Sequence, residues 1–411
     1  MNTRLTKTTL LCAALATTMG ITAAHADSLS LIPTVLTDTS NEGRAITADG
    51  QYIVGVSGAS AHGFLYSVSS GTTVNILTPQ GAQSTVATGI GYRTSGGQSQ
   101  LVIAGMSSGL VGEFMTADGG TTFGAARRNA TYTFNVLPSY NSLGASAASD
   151  AYYVSTSKGT ANNPVYLNQG AGTWVPTITY SQKGITGGTA VMNGVSASGR
   201  SVGYRQVTGI RNNYMLTWNG TGTPANNFFN GLDATQAGEA TSVSADGSVV
   251  FGRSPITGSG TTWYAYKATF TGTTETSITQ LPLYADTGGS VTMAAPYGCT
   301  ADGLFAVGMD YRGREKAVLW LTKPDNTQVI DLTEYATING ILGNWTRLTR
   351  AYSVGETTDL AGNEYAVITG VGVYNGTDTR GFVMTVMIPE PTTISLLALG
   401  GLAMLVHRRR K

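Results

Sequence analysis

Three observations predict an all-β fold for this sequence. One short pattern recurs along the chain, its runs are rich in β-branched and aromatic residues, and no stretch of helical periodicity lies between the copies. The pattern stands in "AITADGQYIVGVSG" from Ala45, "GVSASGRSVGYRQ" from Gly194, "SVSADGSVVFGRS" from Ser242 and "GCTADGLFAVGMD" from Gly298. Small residues lead into Ala-Asp-Gly or Ala-Ser-Gly, an apolar run follows, and a Gly closes it. Gly199, Gly247 and Gly303 recur at a spacing of about fifty residues. The longer gap after Gly50 leaves room for two degenerate copies, "TSGGQSQLVIAGMS" near Gly97 and "ASAASDAYYVSTS" near Ser149. A last copy, "DLAGNEYAVITGVGV" with Gly362, completes seven units.

Each part of a unit has a physical reason. Asp or Ser before Gly, between two apolar runs, predicts a hairpin turn in which the side chain accepts from nearby backbone N–H groups and Gly takes a positive φ. The Val-, Ile- and Phe-rich run after the turn suits a strand buried on both faces. The Gly that ends it (Gly55, Gly105, Gly203, Gly252, Gly308, Gly370) marks a bend or a close backbone approach. An aromatic strand follows in "GFLYSV", "NYMLTW", "WYAYKATF", "KAVLWL" and "GFVMTV", and a short fourth strand in "TTVNILTP" and "TSITQLP". All-strand units of this length predict a seven-bladed β-propeller over residues 27–388, with small residues at the axis and aromatics between blades. A β-solenoid or stacked sandwich has the same period and stands as the alternative. The segment "SLSLIPTVL" is expected to pair with the last unit and close the ring.

The two ends read as targeting segments. Arg4 and Lys7 precede the apolar run "TTLLCAALATTMGITAA", and Ala24 and Ala26 are the small residues of a cleavage site. Residues 1–26 are therefore expected to be a signal peptide cut before Asp27; an uncleaved membrane anchor is the alternative. A lipoprotein reading through Cys12 conflicts with the large residues Leu10 and Leu11 before it. At the other end, the apolar run from Thr392 to Val406 is shorter than the roughly 20 residues of a relaxed membrane helix, and "HRRRK" follows it. That basic flank is expected to stay cytoplasmic while the body is exported, as in a temporary single-span anchor.

Pro389, Glu390 and Pro391, the short apolar segment and the terminal Arg408, Arg409 and Arg410 together resemble the PEP-CTERM sorting signal of Gram-negative bacteria. The resemblance covers residues 389–411. It implies processing by a membrane enzyme, exosortase, and an association with exopolysaccharide at the cell surface or in the extracellular matrix. A plain C-terminal anchor is the competing reading. The repeats are also similar to HAF-type repeats of secreted bacterial proteins, through "GFLYSVSSG" and the "SADG" turn, although several units lack the basic residue and second aromatic of that pattern. "TADGGTTF", Thr116 to Phe123, resembles the Asp-box of sialidase-type blades, which implies a structural role for Asp118 and Phe123.

Composition narrows the chemistry. Formal net charge is +1 over 411 residues, but Arg4, Lys7, Arg408, Arg409, Arg410 and Lys411 belong to the two ends, so the body is mildly acidic. No basic patch suits nucleic acid. Only 11% of residues are charged, which leaves a surface of Ser, Thr, Asn, Gln and Gly. Without Cys12, Cys299 has no disulfide partner and is expected to be a buried small residue. His62 alone remains of three His once His25 and His407 leave, too few for a His-based zinc site or for a triad without the Gly-x-Ser-x-Gly elbow. Asp49, Asp246 and Asp302 hold equivalent turn positions, and turn capping is expected of them rather than calcium binding. The sequons at Asn129, Asn219, Asn344 and Asn375 are expected by chance in so Asn- and Thr-rich a chain.

The expected function is thus an exported, non-enzymatic binding or scaffolding module that needs no cofactor or metal, contacts exopolysaccharide, and offers Tyr140, Tyr311 or Trp345 as sugar-stacking faces. A secreted glycosidase or lyase on the same fold is the alternative, and a lectin-like propeller lies between the two. Acidic residues clustered with aromatics at the axis mouth would favour the enzyme, and a mouth of Gly, Ser and Thr would favour the scaffold.

Overall fold

Thr or Ser, two residues before each turn Asp, builds the repeat together with it. The hydroxyls of Thr47, Ser244 and Thr300 donate to Asp49, Asp246 and Asp302 at 2.6, 2.8 and 2.7 Å. The same carboxylates accept from the N–H groups of Gln51, Ser248 and Leu304. In return the hydroxyls accept from the N–H of Tyr52, Val249 and Phe305. Gly50, Gly199, Gly247, Gly303 and Gly362 all take positive φ, between 70° and 86°. The turn-capping expectation is therefore met, and Asp359 repeats it by accepting from Ala361 and Asn363.

These turns organise a computed structural model that describes residues 27–76, 85–95, 98–107, 110–116, 123–141, 152–157, 164–168, 181–182, 189–207, 209–217, 225–235, 237–256, 262–284, 293–323 and 326–388. Strand β1 is Ser28–Leu31. A four-stranded meander follows: β2 (Asn41–Ile46), β3 (Tyr52–Ser57), β4 (His62–Ser67) and β5 (Thr72–Asn75). Next comes a seven-stranded sheet of β6 (Thr85–Ser95), β7 (Gln98–Ser107), β8 (Leu110–Thr116), β9 (Phe123–Asn141), β10 (Tyr152–Ser157), β11 (Pro164–Asn168) and β12 (Ser181–Gln182). The long β9 pairs with β8 through residues 123–133 and with β10 through residues 134–141. A third sheet holds β13 (Thr189–Val195), β14 (Arg200–Val207), β15 (Ile210–Thr217) and β16 (Ala225–Phe228). The fourth holds β17 (Glu239–Val243), β18 (Val249–Pro255), β19 (Trp263–Thr271) and β20 (Thr274–Gln280), then β21 (Met293–Cys299), β22 (Phe305–Tyr311), β23 (Glu315–Lys323) and β24 (Asn326–Asp331). Its two meanders touch through one parallel pair, Trp263 with Met293. The last sheet is β25 (Trp345–Thr358), β26 (Glu364–Tyr374) and β27 (Asp378–Ile388), completed by β1.

The first strands β2, β6, β13, β17 and β25 are edges of their sheets, and first strands of neighbouring meanders pack on one another: β2 on β6 and β25, β13 on β9 and β17, β21 on β17 and β25. The result is a closed ring of meanders around an axis, a β-propeller arrangement. Apolar clusters fill the interfaces. Phe251, Ala294, Val318 and Trp320 lie between the two meanders of the fourth sheet, and Ile53, Phe64, Val367 and Val383 between the first meander and the last sheet. Aromatics of the third strands are buried there as expected: Phe64, Tyr214, Tyr266, Trp320 and Phe382. The last sheet is closed by β1, with Ser28, Leu29, Ser30 and Leu31 opposite Thr385, Met384, Val383 and Phe382.

Strand β25 has two irregularities of its own, at Thr346 and Thr349, and in six meanders the first strand carries an extra residue, a β-bulge, at one shared height. The extra residues are Arg44, Thr88, Asn193, Thr241, Tyr297 and Tyr352. The residue before each bulge pairs with a Gly of the second strand, which lies inside that strand and does not end it as expected: Gly55, Gly105, Gly203, Gly252, Gly308 and Gly370. A Cβ on Gly55, Gly203, Gly308 or Gly370 would collide with the carbonyl oxygen of Glu42, Val191, Ala295 or Arg350. Close backbone approach, read from the sequence, is thus the reason for these glycines.

Two features differ from expectation. A short helix, α1 (Leu332–Ile338), interrupts the strands; Asp331 caps it by accepting from Thr333 and Glu334, and Leu332 and Ala336 are buried beneath it. Trp345 is not an exposed stacking face, since it is 5% exposed and packs edge-on against Tyr374 and Phe382. Tyr311 is half-buried, and the side chain of Tyr140 lies outside the described residues, as do "TADGGTTF" from its Ala117 to Thr122 and the two targeting segments with Ala24, Ala26, Pro389, Glu390, Pro391, Arg408, Arg409 and Arg410. Among the described residues no helix is long and apolar enough to cross a membrane.

Replacing Gly203 or Gly308 by Ala should cost about 3 kcal/mol or more in urea denaturation, because a backbone oxygen cannot step aside. Thr274→Ala on the exposed outer strand should stay within about 0.5 kcal/mol.

Candidate functional site

The bulges place side chains on the innermost strands, and several of those side chains meet across neighbouring meanders. The Arg44 guanidinium lies over the Tyr352 ring at 5.6 Å. Tyr352 in turn packs on Tyr297, with ring centroids 5.7 Å apart. Asn193 donates to the Ala240 carbonyl at 2.8 Å and to Glu239 at 3.3 Å. Around them stand ion pairs at the strand ends remote from the Asp-Gly turns. Glu42 holds Arg44 at 2.7 Å, and Glu239 holds both Arg253 at 2.7 Å and Arg211 at 2.9 Å. Glu315 bonds Arg350, which also bonds the Tyr352 hydroxyl.

This axial mouth is therefore neither the bare Gly-Ser-Thr rim nor an array of free acids. Four guanidiniums (Arg44, Arg211, Arg253, Arg350) face three carboxylates (Glu42, Glu239, Glu315), interleaved with tyrosines. Glu239 has its oxygens taken by Arg211, Arg253 and Asn193. Such a carboxylate orients guanidiniums. Hydrogen bonding to Glu315 raises the Arg350 guanidinium further above its ordinary value, against the opposing effect of burial, so it is a permanent cation. Burial pushes the Tyr297 and Tyr352 hydroxyls up, so both are neutral donors at physiological pH. Guanidinium forks and phenol rings suit a ligand with carboxylate or hydroxyl groups on flat, partly apolar faces.

The repeated carboxylates lie at the other end of the strands. Asp49, Asp246 and Asp302 face their own turns, as expected, and each turn also grips its neighbour. The Ala245 N–H donates to the Ala301 carbonyl, the Glu356 N–H donates to the Ala48 carbonyl, and the Tyr92 hydroxyl donates to Asp49. Sequence reading missed one contact here: Glu356 hydrogen-bonds Thr300 and Asp302. Burial first, then the Asp302 and Glu364 charges, push its carboxyl up to about 7. The spacing between Asp302 and Glu356 gives no sign of this, because the contact joins two meanders. Burial likewise pushes the nearby Cys299 thiol up to about 12, leaving it without nucleophilic character at neutral pH. His62 sits on Asp38 at 3.0 Å at a strand start. Among the described residues no group of His, Cys, Asp and Glu has the geometry to hold a metal ion.

The folded protein favours the neutral form of Glu356, so this group makes stability highest below its ordinary value of 4.5 and lowers it as pH rises through about 7. Glu356→Gln should flatten the stability profile between those limits in urea denaturations run at a series of pH values. It should also raise stability at pH 8 relative to the parent.

No family model matches the chain, and no curated relative is similar to it. Solved structures with similar folds include TolB from Acinetobacter baumannii, with 11% identity over 88% of this chain and 97% of that chain and a TM-score of 0.36. The WD40 domain of coronin from Toxoplasma gondii has 9% identity over 89% of this chain and 90% of its own, with a TM-score of 0.41. The Dos1 propeller has 9% identity over 82% and 76%, with a TM-score of 0.43. The likeness is loose, and the ring of meanders described above rests on its own strand pairing.

Proposed function

We propose that this protein is an exported, seven-bladed propeller that is sorted through its C-terminal tail and binds exopolysaccharide without cleaving it. Seven blades follow if β9 serves two meanders, the two halves of the fourth sheet count separately, and β1 completes the last. One observation supports the functional reading above the others: the Arg- and Tyr-rich mouth lies on the face opposite Asp27 and Ile388, the first and last described residues. Asp27 accepts from the Met387 N–H at 2.8 Å and from the Tyr335 hydroxyl at 2.7 Å, so the residue after the expected leader meets the end of β27, two residues before the expected tail. Strand β27 reaches that point on the Asp-Gly turn side. A body tethered there would turn its mouth away from the membrane, toward matrix polymer.

A carbohydrate-active enzyme is the second reading, favoured by Glu42, Glu239 and Glu315 standing beside tyrosines at the mouth. The occupied oxygens of Glu239 argue for positioning instead of proton transfer.

Deleting residues 389–411 should release the body into the medium, whereas retention in the parent's fraction would contradict sorting by the tail. Purified residues 27–388 should bind exopolysaccharide and release no reducing ends. Cleavage that is lost in Glu239→Gln would establish the enzyme instead.

A further inference from the structure

A cavity of about 480 Å³ opens beside the mouth, between the start of β23, helix α1 and the start of β25. Its volume falls within the usual range for small-ligand sites, roughly 300–1,000 Å³. Tyr284, Arg314, Lys316, Glu334 and Arg347 line it, together with Glu315, whose carboxylate bonds Arg350 of the mouth. The cavity and the mouth therefore share one ion pair.

The charges on its walls are not equally engaged. Lys316 is spent on Asp331 at 3.3 Å and lies over the Tyr284 ring at 4.6 Å. Asp331 is also the cap of α1. Glu315 is taken by Arg350. Arg314 and Arg347 are exposed, line the cavity from the β22–β23 turn and from β25, and make no ion pair among the described residues. Glu334 is the one exposed carboxylate opposing them. A guanidinium presents a planar fork that matches a carboxylate with two parallel hydrogen bonds. Two such forks lining a polar cavity with a tyrosine wall fit a chain of uronic acid units better than a neutral glucan.

We infer that this groove is a binding subsite for carboxylated polysaccharide, with Arg314 and Arg347 each taking a uronate carboxylate and the chain running on toward Arg350 and Tyr352 at the mouth. The inference rests on the exopolysaccharide reading above and adds its chemical class and its place on the surface. Carboxylate, rather than sulfate, is the committed ligand, because the cavity walls carry acidic groups as well as basic ones and a denser polyanion would meet Glu334 and Glu315.

The test is calorimetric titration of residues 27–388 with oligogalacturonate, with dextran as the neutral probe and dextran sulfate as the sulfated one. Oligogalacturonate should bind, dextran should not, and added salt should weaken the binding. Arg314→Gln and Arg347→Gln should each weaken it by about tenfold, as expected for loss of a charge-assisted pair, with unchanged thermal midpoints. Arg314→Lys, which keeps the charge and loses the fork, should recover only part of the loss. Equal affinity of the double Gln variant and the parent for oligogalacturonate would overturn the groove while leaving a glycan-binding mouth. Tighter binding of dextran sulfate than of oligogalacturonate would overturn the carboxylate assignment. Absence of binding to all three would overturn the groove and the polysaccharide reading together, leaving tail-directed sorting to its own fractionation test.

Discussion

The contact between a bulged first strand and a glycine of the second is the constraint on which the rest of the molecule depends. In an ordinary antiparallel ladder the two strands would run straight through the ring. Here one extra residue bends the inner strand, and the opposing backbone comes so close that only glycine fits, as at Gly203 against Val191 and Gly308 against Ala295. The bend narrows each meander toward the axis. It also decides what occupies the axis, because the extra residue is Arg44, Asn193, Tyr297 or Tyr352 in the described meanders whose side chains meet there. The feature that makes the ring possible thus also builds its mouth.

Division of labour between the two faces follows from strand direction. The first strands β2, β17 and β21 run from the mouth toward Asp-Gly turns, so the turn face collects Asp49, Asp246 and Asp302, and the mouth collects strand-start residues such as Glu42 and Glu239. On the turn face, carboxylates are used up on backbone N–H groups and on neighbouring blades. At the mouth they are used to orient arginines. Polar groups therefore serve cohesion on the turn face and orient arginines at the mouth, and Asp27 and Ile388 lie on the cohesive side.

Much of this was legible in the sequence, and what was not has physical causes. The Ala-Asp-Gly turns and the close-approach glycines each stand for a local backbone need, so residue type alone revealed them, although those glycines lie inside their strands and not at the ends where they were expected. Closure by Ser28–Leu31 was legible because a propeller must satisfy its last edge. The bulges were hidden, since an extra residue changes register without leaving a composition signal. Trp345 was expected as a sugar-stacking face, yet it opens β25 with its ring buried in the core. Asp331 with Glu334 three residues later is a helix-start signal, overlooked because α1 spans only two turns. The mouth and the groove escaped for a deeper reason. Arg44, Glu239, Arg253, Arg314 and Arg350 lie in different repeats, and only the closed ring brings them within reach of one another or of one ligand.

That closed ring is the central claim, and amide hydrogen exchange on residues 27–388 tests it most directly. In a ring sealed by β1 on β27, the amides of residues 28–31 that face β27 should be protected to the same degree as those of residues 365–371 in the middle of the last sheet, exchanging only on global unfolding. Exchange of residues 28–31 at the rate of a free chain, with residues 365–371 still protected, would contradict the account.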